Sequence, residues 1–166
     1  MTGDDPRRDA LEAIEQVVAE QPDSDEIVRR VVDLLHDRVP LYSWVGIYFV
    51  EGGELALGPW KGPEATEHVR IPIGQGVCGA AAASGATEIV DDVNADPRYL
   101  ACFLSTRSEI VVPISYDGMV VAEIDIDSDT PAAFGDDDRA FLERVAGLLS
   151  EHCLVGWDTG GEVWDP

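Results

Sequence analysis

The Glu-Ile-Asp-Ile-Asp run that begins at Glu123 restricts the fold of this chain more than any other stretch of the sequence. Successive side chains of a β-strand point to opposite faces, so Ile124 and Ile126 share one face and Asp125 and Asp127 share the other. Glu123 has the same parity as the two aspartates. The isoleucine face must pack on a hydrophobic core. The carboxylate face contacts solvent or forms the floor of a pocket, and the usual alternation of half-exposed sheets leaves both readings open.

Helical periodicity appears near both ends of the chain. Apolar spacing predicts a first helix over residues 9–20 and a final helix after Phe134-Gly-Asp-Asp-Asp. A second helix is predicted to begin after Asp23, which is expected to act as its N-cap with Glu26 three residues later, and to end near Val39-Pro40.

The central part of the chain is rich in β-branched and aromatic residues, which favour strands. Two hairpins are predicted, over 42–50 with 55–59 and over 109–115 with 119–126. Pro72 places a short strand over 69–73 at an edge or strand end, 77–83 is a short helix, and 87–91 is another strand. Terminal helices with antiparallel hairpins between them predict an α+β fold.

The chain of 166 residues, 45% of them hydrophobic, fits a single globular domain with a substantial core. We predict a disordered N-terminus over 1–8, one domain over 9–154 and a tail over 155–166. Trp157 and Trp164 in the tail could dock on the domain or on a second subunit, and the sequence leaves both possibilities open.

The charge balance excludes several classes of partner. The chain has 33 acidic and 11 basic residues and a net charge of -22, so its surface repels phosphate backbones and anionic membranes. A solvated acidic surface suits high intracellular salt, which predicts a halophilic source and poor folding at low salt. No apolar run is long enough to span a bilayer, and the first residues lack the apolar core of a signal peptide. We expect a cytoplasmic protein.

Three cysteines are an odd number, which argues against a structural disulfide framework, and their spacing matches no zinc motif. Cys102 lies in a predicted loop and is either a nucleophile or a small buried apolar residue. Cys78 is predicted at a helix start, where the positive helix end lowers a thiol's pKa and suits a redox partner. The alternative for Cys78 is close packing between glycines. Cys153 is predicted to fill the core.

Three further residues are candidates for a site. Glu109 directly precedes Ile-Val-Val and is therefore difficult to explain as a surface residue. Trp44 and Trp60, in or beside the first hairpin, could wall a pocket for an apolar or thioether group, since aromatic faces attract methyl groups and sulfur. Ordinary core packing is the alternative for each tryptophan.

Six blocks between residues 44 and 128 form an ordered set: Trp44-Val-Gly-Ile-Tyr, Leu55-Ala-Leu-Gly-Pro-Trp-Lys-Gly, Arg70-Ile-Pro-Ile-Gly-Gln-Gly-Val-Cys-Gly, Leu100-Ala-Cys, Ser108-Glu-Ile-Val-Val-Pro and Asp125-Ile-Asp-Ser. In this order and spacing they resemble the free methionine-(R)-sulfoxide reductases, which are small single-domain GAF proteins. Several ordered blocks are far more specific than one motif. The resemblance implies a GAF fold, a central antiparallel sheet with helices on one side and a small-molecule pocket on the other.

The resemblance also implies roles. Cys102 matches the catalytic cysteine, Cys78 a second redox-active cysteine, and Trp44 an aromatic residue that contacts the substrate's methyl group. Glu109, Asp125 and Asp127 match the pocket carboxylates. We expect the Cys102 thiolate to attack free methionine sulfoxide, with Glu109 or Asp127 protonating the oxygen and Asp125 holding the ammonium.

The resulting sulfenic acid is expected to form a disulfide with Cys78, which a thioredoxin-like dithiol reduces. No metal or organic cofactor is expected, and a homodimer is plausible by analogy with other GAF domains.

The sequence departs from the family pattern in places. The family's cysteine before the Arg-Ile-Pro block is absent, and Thr66-Glu-His occupies that region. Phe103 stands where aspartate commonly follows the catalytic cysteine, Asp96-Pro-Arg-Tyr differs from the usual Gly-His, and Glu123 is a carboxylate where the pattern is apolar or small. Two alternatives therefore remain open: a non-catalytic GAF module that senses a small molecule, and a redox sensor in which the Cys78–Cys102 pair is the signal.

Overall fold

The computed structural model describes residues 3–100 and 103–157, so Cys102 and Trp164 lie outside the described residues. The helices are α1 (Pro6–Glu20), α2 (Ser24–Arg38), α3 (Gly76–Ser84) and α4 (Asp136–Leu149), with 3-10 turns at Val93–Ala95 and Ser150–His152. The strands are β1 (Trp44–Glu51), β2 (Glu54–Lys61), β3 (Arg70–Pro72), β4 (Glu88–Val90), β5 (Ser108–Tyr116) and β6 (Met119–Ser128). Among the described helices, none has the length and apolar character to cross a membrane.

The six strands form one antiparallel sheet in the order β3-β2-β1-β6-β5-β4. Both predicted hairpins are confirmed, and the tight turn between β5 and β6 holds Asp117 and Gly118 at positive φ. Strand β3 lies at an edge, as the proline at position 72 predicts. The first and last strands meet in the middle of the sheet through the β1–β6 pairing. The predicted α+β fold is confirmed.

The isoleucine face of β6 packs on the main core, as predicted. Ile124 pairs with Ile47 of β1, and Ile126 pairs with Ile110 of β5. All four side chains are fully buried with the apolar faces of α1, α2 and α4. This core fixes the orientation of β6 and therefore directs its carboxylates to the opposite face.

Helix α1 begins at Pro6 and not at residue 9, so the prediction of a disordered start is wrong for residues 6–8. The Asp5 side chain accepts a hydrogen bond from the Arg7 amide, and proline is well tolerated in the first turn. The predicted N-cap of α2 is confirmed, since Asp23 accepts hydrogen bonds from the amides of Asp25 and Glu26.

The described part of the tail docks on its own domain. The Trp157 indole stacks on Phe49 at a ring distance of 5.8 Å, and the Arg29 guanidinium lies 5.2 Å from the indole centroid. Cys153 is buried in the main core, which confirms the core-filling prediction. The indole therefore closes the core at the end of β1.

Candidate active site

The carboxylate face of the sheet is buried, so the solvent reading of this face is wrong. Glu123, Asp125 and Asp127 of β6 are each no more than 2% exposed. Glu109 of β5 is directly opposite Asp127 in the strand register and is also buried. On the other side of β6, Trp44 lies opposite Asp127. Four carboxyl groups thus lie close together on one face of the sheet.

Helix α3 covers the carboxylate face of the sheet, opposite the face on which α1, α2 and α4 pack. It adds one short helix on the pocket side to the expected layer of helices on the other side. Its apolar residues Val77 and Ala81 pack in a small hydrophobic cluster with Tyr48 and Val111 of the sheet. The helix can approach closely because Gly79 has no side chain, since a Cβ there would lie 2.8 Å from the Pro72 carbonyl oxygen. This close packing places Cys78 above the carboxylates.

Cys78 lies against two of the acidic side chains. Its sulfur and the nearest carboxylate oxygens of Glu109 and Asp125 all lie within 4.8 Å of one another. Burial raises the pKa of the Cys78 thiol well above its usual value, and the charges of Asp125 and Glu123 raise it further. The prediction that the helix start lowers this pKa is therefore wrong, because burial and the neighbouring acids outweigh the partial positive charge of the helix end.

The acidic side chains have raised pKa values as well. Burial raises the pKa of Glu123 well above its ordinary value, and the charge of Asp125 adds to this effect. Burial, followed by the charge of Asp125, likewise raises the pKa of Asp127. The pKa of Asp125 is raised by burial, which hydrogen bonding with Glu109 and Cys78 partly offsets. Several carboxyl groups that share one buried pocket cannot all ionise cheaply, which favours a protonated acid at this site.

A pocket opens beside these groups. Its walls are formed by residues from β1, β3, β5, β6, α3 and the adjoining loops: Tyr48, His68, Ile71, Gly76, Val77, Cys78, Leu100, Glu109 and Asp125. Three of the predicted site residues, Cys78, Glu109 and Asp125, line this pocket. Leu100 stands two positions before the expected nucleophile, whose own place lies outside the described residues.

Tyr48 and His68 line the pocket but were not singled out from the sequence. The Tyr48 hydroxyl donates a hydrogen bond to the His68 carbonyl at 2.8 Å, which joins β1 to the loop before β3. Two signals could have identified them. Tyr48 has the same strand parity as Trp44, and His68 directly precedes the Val-Arg-Ile-Pro segment where the family's additional cysteine is expected.

Three aromatic side chains form a wall beside the acidic groups. The Trp44 indole stacks on Trp60 with ring centroids 6.1 Å apart, and Phe103 packs at 5.9 Å from Trp44. The Trp44 ring crosses Gly46, which lies opposite Asp125 in the register. Trp44, Trp60 and Asp127 therefore lie next to the pocket around Cys78 and not in its lining. Phe103 therefore belongs to the same aromatic wall.

Comparison with known proteins agrees with this architecture. The family model of the GAF domain matches residues 23–152, so the chain belongs to the GAF domain proteins. A free methionine-R-sulfoxide reductase of Escherichia coli is 36% identical over 118 residues, which cover 71% of this chain and 70% of the relative. Protein YtsP of Bacillus subtilis is 39% identical over 143 residues, covering 85% of this chain and 86% of the relative.

A solved structure is similar over nearly the whole chain. It is that of free methionine-R-sulfoxide reductase from Neisseria meningitidis in complex with its substrate, with a TM-score of 0.83, 38% identity and 92% of each chain covered. Within the GAF domain proteins, the chain belongs to the family of the free methionine-R-sulfoxide reductases.

Proposed function

We propose that this protein reduces free methionine-(R)-sulfoxide to methionine with electrons from thiols. The observation that carries the proposal is the buried set of Cys78, Glu109 and Asp125 around one pocket. A thiol among protonatable carboxyls fits a reaction that exchanges both protons and sulfur redox equivalents. Its occurrence in a chain 38% identical to a reductase solved with its substrate supports the same substrate here.

The pocket acids divide into a binding role and a proton-donating role in this proposal. Asp125 holds the substrate's ammonium group, because its Oδ1 is buried and, in the described part of the chain, has no hydrogen-bond partner that would have to be displaced. Asp127 or Glu109 supplies the proton to the sulfoxide oxygen. The raised pKa of Asp127, caused first by its burial, favours the protonated form that a proton donor needs. Trp44 and Trp60 provide an apolar wall for the methyl and thioether part.

The Cys102 thiolate carries out the first redox step in the proposal. It attacks the sulfoxide sulfur and forms a sulfur–sulfur bond while the oxygen takes up a proton from the acid. The hydroxyl group then transfers to the Cys102 sulfur as the substrate's sulfur–oxygen bond and the new sulfur–sulfur bond break. Methionine leaves, and Cys102 becomes a sulfenic acid. The sulfoxide sulfur gains two electrons, and Cys102 loses two.

Cys78 carries out the second step. Its thiol attacks the Cys102 sulfenic acid, a disulfide forms, and water leaves with the oxygen and the thiol proton. A dithiol of the thioredoxin type then reduces the disulfide and becomes oxidised. Cys78 thereby supplies the resolving thiol in a chain that lacks the family's cysteine near position 68. The need for a dithiol reductant agrees with a location in the reducing cytoplasm.

The decisive experiment incubates the protein with free methionine-(R)-sulfoxide and dithiothreitol in molar KCl and quantifies methionine. We expect the parent protein to form methionine and Cys102→Ser to form none. Cys153→Ser should form methionine like the parent, because it replaces a thiol in the main core on the other face of the sheet. High salt is required because the acidic surface predicts poor folding at low salt. A folded parent that binds the sulfoxide without forming methionine would indicate a ligand-sensing GAF domain and would overturn the proposal.

Gly46→Ala is expected to raise the KM for methionine sulfoxide about tenfold. A Cβ at this position would lie 2.6 Å from Cζ3 of Trp44 and closer still to Cη2, so the indole must move from its place beside Asp125. Overfilling of this kind also destabilises the fold by about 1–3 kcal/mol. Steady-state kinetics in molar KCl measures the change.

Gly53→Ala is the matched control for this substitution, because a Cβ there meets nothing within 4 Å. We expect its KM to equal that of the parent. An unchanged KM in a folded Gly46→Ala variant would remove Trp44 from the substrate wall.

A further inference from the structure

Three potential metal ligands meet in the pocket although they are distant in the sequence. Cys78 comes from α3, Glu109 from β5 and Asp125 from β6, and their donor atoms lie within 4.8 Å of one another. All three residues are no more than 6% exposed, and all three line the pocket. No local spacing motif shows this arrangement, because each ligand is provided by a different element.

The donor set matches a particular class of cation. Zn²⁺ binds thiolate sulfur at about 2.3 Å and carboxylate oxygen at about 2.0–2.2 Å in tetrahedral geometry, so neighbouring ligand atoms are about 3.5 Å apart. Donor atoms already within 4.8 Å need to close by about 1 Å to reach this geometry. Mg²⁺ and Ca²⁺ prefer oxygen ligands alone, so the sulfur of Cys78 favours a thiophilic ion.

Buried carboxyl oxygens that lack hydrogen-bond partners in the described structure are a second, independent observation at this site. Asp125 is 2% exposed, and its Oδ1 has no hydrogen-bond partner among the described residues. Within the same part of the chain, neither carboxyl oxygen of Glu123, on the same face of β6, has one. Buried polar atoms are normally satisfied, and each exception requires an explanation. A divalent cation would provide Oδ1 of Asp125 with a partner and would offset the negative charge of the carboxylates in this pocket.

We propose that the pocket binds one thiophilic divalent cation, Zn²⁺ or Cd²⁺, through Cys78, Glu109 and Asp125. Binding replaces the thiol proton of Cys78 by the metal. The bound ion occupies the thiol needed for resolution and the carboxylate expected to hold the substrate's ammonium. It therefore inhibits the reductase reversibly. The inhibition rests on the proposed function, whereas the binding does not.

The binding test titrates the reduced full-length protein with Zn²⁺ in molar KCl against a chromophoric chelator. We expect one Zn²⁺ per chain, and about 100-fold weaker binding in Cys78→Ser and in Asp125→Asn, since each loses a direct ligand. Cys153→Ser is the matched control and should bind as the parent does. Burial on the far side of the sheet raises the pKa of Cys153 to about 12, so its thiol does not compete.

Titration with Cd²⁺ adds a spectroscopic readout, the ultraviolet charge-transfer band of a cadmium thiolate. The band is expected in the parent and in Cys102→Ser and should be absent in Cys78→Ser. Equal Zn²⁺ affinity in Cys78→Ser and the parent, or weak sites that Mg²⁺ displaces, would overturn the proposal in favour of nonspecific binding by surface acids. A cadmium band that is lost only in Cys102→Ser would also overturn it.

Inhibition is measured separately by methionine formation with and without Zn²⁺, followed by a chelator to restore activity. Loss of turnover that the chelator reverses supports the inhibitory role. Stoichiometric Zn²⁺ binding without any loss of turnover would contradict that role. If the parent forms no methionine, the proposed function fails, while the two binding measurements still decide whether the metal site exists.

Discussion

Cys78→Ser is expected to form about one equivalent of methionine per chain and then to stop when thioredoxin is the reductant. Cys102 can still attack the sulfoxide, but its sulfenic acid then lacks the thiol that forms the disulfide. Dithiothreitol is small enough to react with the sulfenic acid directly and should partly restore turnover. A rapid-quench assay of methionine with each reductant measures the burst and the steady rate.

Cys153→Ser provides the control for removal of a buried thiol and should turn over repeatedly with thioredoxin. Multiple turnover at the parent rate in Cys78→Ser would remove Cys78 from the resolving step. The reducing thiol would then have to come directly from the external dithiol.

Glu123→Met is expected to stabilise the fold by about 1–3 kcal/mol near neutral pH, because it removes the desolvation cost of a buried polar group that is not fully hydrogen-bonded. Glu123 is fully buried, and neither of its carboxyl oxygens finds a hydrogen-bond partner among residues 3–100 and 103–157. Methionine has a similar length and is flexible enough to fill the same space. Denaturant unfolding in molar KCl measures the difference, with the exposed Glu12→Met as the control.

The advantage of Glu123→Met should grow with pH. The pKa of Glu123 is raised well above its ordinary value of 4.5 in the folded protein, so the folded state holds a proton that the unfolded chain has released. This contribution to stability is fully present below the unfolded pKa and is lost as pH rises through the folded pKa. Within that window the parent loses about 1.4 kcal/mol per pH unit from this group. A pH-independent difference between parent and variant would contradict this account.

The strands of this protein could be predicted from the sequence because the information is local. Alternation of Ile and Asp fixed the two faces of β6, and the Asp117-Gly118 pair marked the turn that precedes it. The start of α1 was predicted three residues late. The apolar period begins at Leu11, whereas the helix is started by Asp5 and Pro6, which carry no apolar signal.

The environment of the site could not be predicted in the same way, because it depends on contacts between distant segments. Whether Asp125 faced solvent or a pocket was decided by α3, which folds over β5 and β6. The pKa of Cys78 was predicted in the wrong direction, since local sequence shows the helix start but not the acids beneath it. The family resemblance identified Glu109, Asp125 and Cys78 as residues of one site. In the structure, all three line the same pocket.

The pairing of β1 with β6 has a consequence for the synthesis of this protein. Trp44 and Asp127 are neighbours in the sheet but are separated by about 80 positions along the chain, and contacts of this kind slow folding. On the ribosome, β1 and β2 emerge long before β6, so the edge of β1 that pairs with β6 stays open until β6 has been made. The nascent chain is therefore exposed to aggregation during this interval.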